Sequence, residues 1–262
     1  MKECASERNL LLCGAKVRFF VGLHHPHAAK HVATPAFISV NALRRRKSDF
    51  MVGEWIMDSG AFTEVVRFGG YRFGVDEYAA QIRRWARCGT LLAAVAQDYM
   101  CESFVLEQTG KTVEEHQKMT VDRYDALMRE DVAGVYIMPV LQGYKPDSYV
   151  NHLRMYGDRI PRGAWVGVGS VCKRNSNPTA IVAVLEAIRA ERPDLKLHGF
   201  GVKQTALAVG YIRDALHTAD SMAWSFAARR EGRNANDWRE AQAYAERVRT
   251  YPHQYQIFRW AA

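Results

Sequence analysis

Cysteine is sparse, with Cys4, Cys13, Cys88, Cys101 and Cys172 scattered along 262 residues and no pair in C-x-x-C spacing. Neither a disulfide framework nor a cysteine-rich zinc site is therefore indicated, and the thiols are expected to be reduced. No apolar run approaches the ~20 residues of a membrane span. The start, Met1-Lys2-Glu3-Cys4-Ala5-Ser6-Glu7-Arg8, has neither the apolar core nor the cleavage site of a secretory signal. A cytoplasmic protein without a membrane partner is the expectation. There is no low-complexity tract and no linker that would split the chain, which reads as one domain over 1–262 with 1–15 and 250–262 peripheral. Acidic residues are outnumbered, 28 against 36 basic, for a formal net charge of +8 and a pI near 9.3. That balance suits a polyanionic partner, nucleic acid above all.

What is present is a rhythm of apolar strands and amphipathic helices. Strands are predicted at 16–22, 35–40, 54–58, 91–96, 135–141, 164–170, 195–201 and from Ala219. Helices are predicted at 76–87, with Tyr78, Ile82 and Trp85 on one face, and at 113–130, 146–156, 178–192, 204–216 and 236–249. Eight strands alternating with helices argue for a parallel sheet, and with this length for a closed (β/α)8 TIM barrel. The first two strands lack long helices after them, so the α/β barrel is expected to be irregular there.

Polar and glycine motifs fall where these strands run out: Asp58-Ser59-Gly60, Gln97-Asp98, Gln142-Gly143-Tyr144, Gly169-Ser170, Gly201-Val202-Lys203 and Asp220. In such a barrel the carboxyl ends of the strands converge on one face, where the chemistry is built. Taken singly, each has a plainer reading, since Asp220 could cap the next segment and Gly167-x-Gly169 could be a tight turn. Three carboxylates brought together repel, which raises the pKa of at least one and lets an acid/base and a nucleophile coexist. Two carboxylates beside a sugar C1′ suit glycosidic chemistry with a covalent intermediate.

The order Asp58-Ser59-Gly60-Ala61-Phe62, then Asp98, Leu141-Gln142-Gly143, Gly167-x-Gly169 and Asp220-Ser221 resembles the tRNA-guanine transglycosylases. The resemblance is closer to their DNA-modifying relatives, the DpdA-type deazapurine transglycosylases. It is carried by 97–102, 140–144, 169–174, 198–203 and 219–225, and extends from about Phe19 to Arg230. It implies an irregular TIM barrel that exchanges guanine in DNA for a 7-deazaguanine base such as 7-cyano-7-deazaguanine. Asp220 would be the nucleophile at C1′, and Asp58 the acid/base. Asp98 would take the purine N1 and 2-amino edge, beside Ser59. Gln142, Gly143, Gly169, Ser170 and Gly201 would line the rest of the base site. A carboxylate facing N1–H selects guanine-like bases, because adenine would leave that acceptor without a partner.

The zinc motif that the tRNA enzymes carry near their C-terminus has no counterpart in these residues, and no added RNA-binding module is expected; after Arg233 come a charged helix and the aromatic tail Tyr255–Trp260. No metal and no cofactor are expected, although His24, His25 and His27 stand close enough in sequence to be weighed as ligands. A tRNA-guanine transglycosylase, a non-catalytic nucleic-acid-binding partner subunit, and an exchanger of free nucleosides are the competing readings. Because the tRNA relatives commonly pair, a homodimer is in keeping with the resemblance. The target base in duplex DNA would have to be flipped out, or the substrate be single-stranded. His24, His25, Tyr144 and Trp224 are candidates to line its path, with Trp224 equally readable as core. Lys173, Arg174, Lys203, Arg229, Arg230 and Arg233 are candidate phosphate contacts, about half of them expected to be ordinary surface.

Overall fold

The computed structural model describes residues 17–250. Cys4, Cys13, the tail Tyr255–Trp260 and nearly all of the two segments expected to be peripheral lie outside the described residues. Within them the strands are β1 (Arg18–Leu23), β2 (Ala36–Ser39), β3 (Glu54–Asp58), β4 (Thr90–Val95), β5 (Ile137–Met138), β6 (Val140–Leu141), β7 (Trp165–Val168), β8 (Lys196–Gly199) and β9 (Thr218–Ser221). All pair in parallel, in the order β5-β4-β3-β2-β1-β9-β8-β7-β6.

The two ends of that ladder are separated in sequence by one residue, Pro139. Proline has no N–H to give a ladder, so the predicted strand 135–141 breaks there. Its first half bonds to β4 (Val95↔Met138) and its second half to β7 (Val140↔Gly167). The Pro139 carbonyl still accepts from the Gly167 N–H at 2.8 Å, so the seam is stitched on one side. The eight predicted strands are therefore nine, in a nearly closed barrel of the TIM type.

The helices are α1 (Ala61–Phe68), α2 (Val75–Trp85), α3 (Ser103–Thr109), α4 (Val113–Leu127), α5 (Pro146–Tyr156), α6 (Pro178–Glu191), α7 (Gln204–Leu207), α8 (Gly210–Ala215), α9 (Ala223–Arg230) and α10 (Trp238–Thr250). β1 and β2 are followed only by 3-10 turns, Pro26–His31 and Val40–Ala42, which is the predicted irregularity. The predicted helix 204–216 is two helices. Val209 is extended there (φ −74°, ψ 116°), and Gly210 after it is a poor helix former. The start of α4 is fixed by a capping box: Thr112 accepts from the Glu115 N–H, and the Glu115 carboxylate accepts from the Thr112 N–H. The short helices α1, α3 and α9 were not foreseen.

Strand pleating sorts the apolar residues into two layers. Phe20, Phe37, Ile56, Ala93, Val95, Met138 and Val140 fill the barrel. Phe19, Val21, Ile38, Trp55, Met57 and Ala94, their neighbours along the same strands, pack outward under the helices. Two residues beyond Ile56 on the inward face comes Asp58, and Asp220 pairs in register with inward Phe20. The same alternation that builds the core thus aims these two carboxylates into the barrel's mouth.

Candidate active site at the mouth of the barrel

Asp98 follows β4 and is 6% exposed. The Gln142 amide donates to its Oδ2 at 2.5 Å, and the Ser59 hydroxyl donates to Oδ1 at 3.4 Å. Ser170 donates to the other end of the Gln142 amide at 2.8 Å. Ser170 reaches it from a left-handed backbone (φ +56°), a conformation that few non-glycine residues adopt. The Gln142 backbone is pinned as well, giving its N–H to His152 Nδ1 at 2.8 Å and accepting from Gln117 at 2.7 Å. Burial pushes the Asp98 carboxyl up to about 7, against the Gln142 hydrogen bond and with the Asp58 charge adding.

Asp58 ends β3. Its Oδ2 accepts from the Gly60 N–H at 3.1 Å. Its surface is half-buried, and burial pushes the carboxyl up to about 6. The Gly60 N–H opposes that shift and the Asp220 charge adds to it.

Asp220 sits on β9, 6% exposed. Its Oδ1 accepts from the Gly201 N–H at 3.0 Å and lies 3.3 Å from His198 Nε2. Gly201 has φ +63°, and a Cβ there would stand 2.7 Å from Cys172 Cβ, so the turn that aims this N–H requires glycine.

All nine predicted catalytic and base-binding residues therefore lie at one rim. Gly143 is the most peripheral, buried behind Gln142 against Ser148 and Tyr149. Reading the sequence missed Tyr71, whose hydroxyl accepts from the Asp98 N–H (2.9 Å) and donates to the Asp98 carbonyl (3.0 Å). It also missed Tyr149, which donates to the Gly169 carbonyl at 2.8 Å, and gave no role to His198 or Thr218. Tyr71 carries no sequence signal, because it comes from the turn between α1 and α2. His198 had one: it lies two residues before inward Phe200.

The nucleic-acid candidates divide. Lys173 and Lys203 are exposed on loops after β7 and β8, and Arg229 and Arg230 on the last turn of α9. Exposed aromatics accompany them: Lys173 Nζ is 5.4 Å from the Phe62 and Phe104 rings, and Lys203 Nζ is 5.8 Å from that of Phe226. Arg174 donates to the Tyr144 carbonyl and lies 5.1 Å from its ring. His25 is exposed, while His24 is half-buried with Nε2 2.6 Å from the Ser225 hydroxyl. Burial, then His25 and Arg229, hold His24 below its ordinary pKa. Two of the candidates are engaged elsewhere. Trp224 is 2% exposed and donates its indole N–H to the Gly22 carbonyl at 2.8 Å, so it packs as core. Arg233 is held by Glu231 and Glu240, which leaves it poorly placed for phosphate.

Among the described residues no three His, Cys, Asp or Glu side chains gather as a metal site, and no helix is long and apolar enough to cross a membrane. No curated protein matches the chain. A family model, DpdA, described as DeoxyPurine in DNA protein A, matches residues 15–250. That span holds the whole described barrel and every carboxylate at its rim, and the chain belongs to the DpdA family of tRNA-guanine-transglycosylase-like enzymes.

Proposed function

We propose that this chain removes guanine from DNA and inserts a 7-deazaguanine base through a covalent Asp220 glycosyl intermediate. The Asp220 carboxylate attacks C1′ of the target nucleotide as the bond from C1′ to the purine nitrogen breaks. Asp58, protonated, delivers a proton to the departing guanine. The incoming base then loses its N9 proton to the Asp58 carboxylate, attacks C1′ and releases Asp220. Two displacements at C1′ retain the configuration. Asp98 accepts from N1–H and the 2-amino group of either base, and Gln142 and the Gly169-Ser170 turn serve the O6 side.

The observation that carries this reading is the division between Asp220 and Asp58. Asp220 takes two donors on one oxygen, while burial pushes Asp58 up to about 6, where it can hold or give up a proton near neutrality. The exposed cations beside aromatic rings at the same rim favour a nucleic acid over a free nucleoside.

The test is incubation with labelled guanine, and separately with 7-cyano-7-deazaguanine, on DNA and on tRNA. Nucleoside mass spectrometry reads the product, with Asp220→Ala as control. Incorporation into DNA alone, lost in the variant, is expected. Incorporation into tRNA alone would make this a tRNA enzyme, and unchanged exchange by the variant would remove Asp220 as nucleophile.

A further inference from the structure

Behind Asp220 runs a chain of hydrogen-bonding groups, buried but for the half-buried Trp165. Trp165 Nε1 donates to Thr218 Oγ1 at 2.8 Å. Thr218 Oγ1 lies 2.8 Å from His198 Nδ1, and His198 Nε2 lies 3.3 Å from Asp220 Oδ1. An indole N–H can only donate and a carboxylate can only accept, so both ends of the chain are fixed. For a neutral ring, Nε2 must then carry the proton, Nδ1 must accept, and the Thr218 hydroxyl must donate to it. Every atom has a partner in that one arrangement. The opposite tautomer would set a bare Nε2 lone pair against the carboxylate.

The ring is also held in place. His198 is fully buried, stacks on Phe37 with centroids 5.7 Å apart at 13°, and meets Phe200 edge-on at 4.7 Å. Phe20 and Trp165 stand 6.3 and 6.2 Å away. His198 and Gly201 both serve Oδ1, and among the described residues no donor is directed at Oδ2.

We infer that His198 is a positioning residue: its tautomer, set by Trp165 and Thr218, makes it a fixed donor that pins Asp220 Oδ1 and presents Oδ2 to C1′. This rests on the proposed role of Asp220. In the first half-reaction the Oδ2–C1′ bond forms as guanine leaves. In the second that bond breaks, the electron pair returns to the carboxylate, and the waiting donors on Oδ1 receive the restored charge. His198 itself neither gains nor loses a proton.

Two variants separate donation from packing. His198→Phe fits the aromatic surroundings and cannot donate. His198→Gln keeps an N–H donor at similar reach but packs less well. Positioning predicts that guanine exchange into DNA falls about 10- to 100-fold in His198→Phe, the scale of one hydrogen bond to a charged group, and largely returns in His198→Gln. Thermal stability should run the other way. A purely structural role predicts that Phe is at least as active as Gln, and that result would overturn the inference. A second readout needs no activity: nitrogen-15 NMR of the wild-type histidines should show His198 protonated at Nε2 and bare at Nδ1. A proton on Nδ1 alone would overturn the inference whatever the protein exchanges. Absence of exchange by the wild type beside the expected tautomer would instead count against the proposed function.

Discussion

The amide of Gln142 is clamped between Asp98 Oδ2, 2.5 Å from its nitrogen, and the Ser170 hydroxyl, 2.8 Å from its oxygen. The two contacts fix which end of the amide is which, so the donor faces the carboxylate and the acceptor faces the serine. Three strands converge in this clamp: Asp98 follows β4, Gln142 follows β6 and Ser170 follows β7. A base entering the mouth meets acceptors and donors already oriented, which lowers the ordering cost of binding.

Asp98 gives the first prediction. Its carboxyl is pushed up to about 7 from an ordinary 3.8, so the folded protein holds this proton more tightly than the unfolded chain does. Its stabilising contribution is full below about 3.8 and is lost as pH rises through about 7. Asp98→Asn should therefore melt above the wild type at pH 8, with the gap closing toward pH 4. Base binding runs oppositely, because the ionised form must accept from N1–H. KM for guanine should worsen as pH falls below about 7 in the wild type, and Asp98→Asn should lose that dependence together with guanine selectivity. Melting curves and KM across that range check both.

Asp58 gives a second, in the two half-reactions. With its carboxyl pushed up to about 6, the acid form thins out above that pH. Formation of the covalent adduct, which needs the acid, should slow as pH rises through about 6. Release by an incoming base, which needs the carboxylate, should speed up over the same range. Rapid-quench trapping of the adduct resolves the two limbs. Asp58→Asn should flatten both and lower turnover by about 10²-fold or more.

Much of this site was legible because barrel strands, buried on both faces, read as apolar runs that stop at a polar residue. Asp58, Asp98, Gln142 and Asp220 all stand at such stops. The split at Pro139 had its signal in the proline itself, which cannot donate to a ladder, but only the ladder shows that each half has a different partner. Tyr71 was hidden for another reason: 27 residues separate it from Asp98, and only the packing of the α1–α2 turn over the mouth joins them. Trp224 could be read either way, because an aromatic among arginines looks like a stacking residue. In the structure the start of α9 turns the indole inward, beneath Gly22.

Among the basic residues, contact with DNA should follow exposure rather than charge alone. Lys203 and Arg230 flank the exposed Phe226 ring, at 5.8 and 6.0 Å, whereas Arg233 is ion-paired to Glu231 and Glu240. Replacing either Lys203 or Arg230 by Ala should weaken DNA binding and reduce the slope of log affinity against log salt by about 0.9. Arg233→Ala should leave that slope unchanged. Titrations at several salt concentrations distinguish them, and equal effects from all three would point to net charge instead.

Gly169 offers the most selective perturbation of the base site. A Cβ there would come within 2.2 Å of Gln142 Nε2 and 2.6 Å of its Oε1, so the clamped amide has to move. Because the obstacle is the end of a side chain rather than backbone, Gly169→Ala should still fold, with a melting temperature lowered by the loss of the amide's buried hydrogen bonds. What it loses is the donor on Asp98. That hydrogen bond holds the carboxyl down against burial, so its loss should move the carboxyl further above 7. The pH below which KM for guanine worsens should rise accordingly, while Asp220, whose donors come from Gly201 and His198, keeps its chemistry. An upward-shifted KM profile with little change in the maximal rate at high pH is the expected result. Equal loss at every pH would mean that Gly169 serves the backbone turn, and that the Gln142 amide does not govern how Asp98 holds the base.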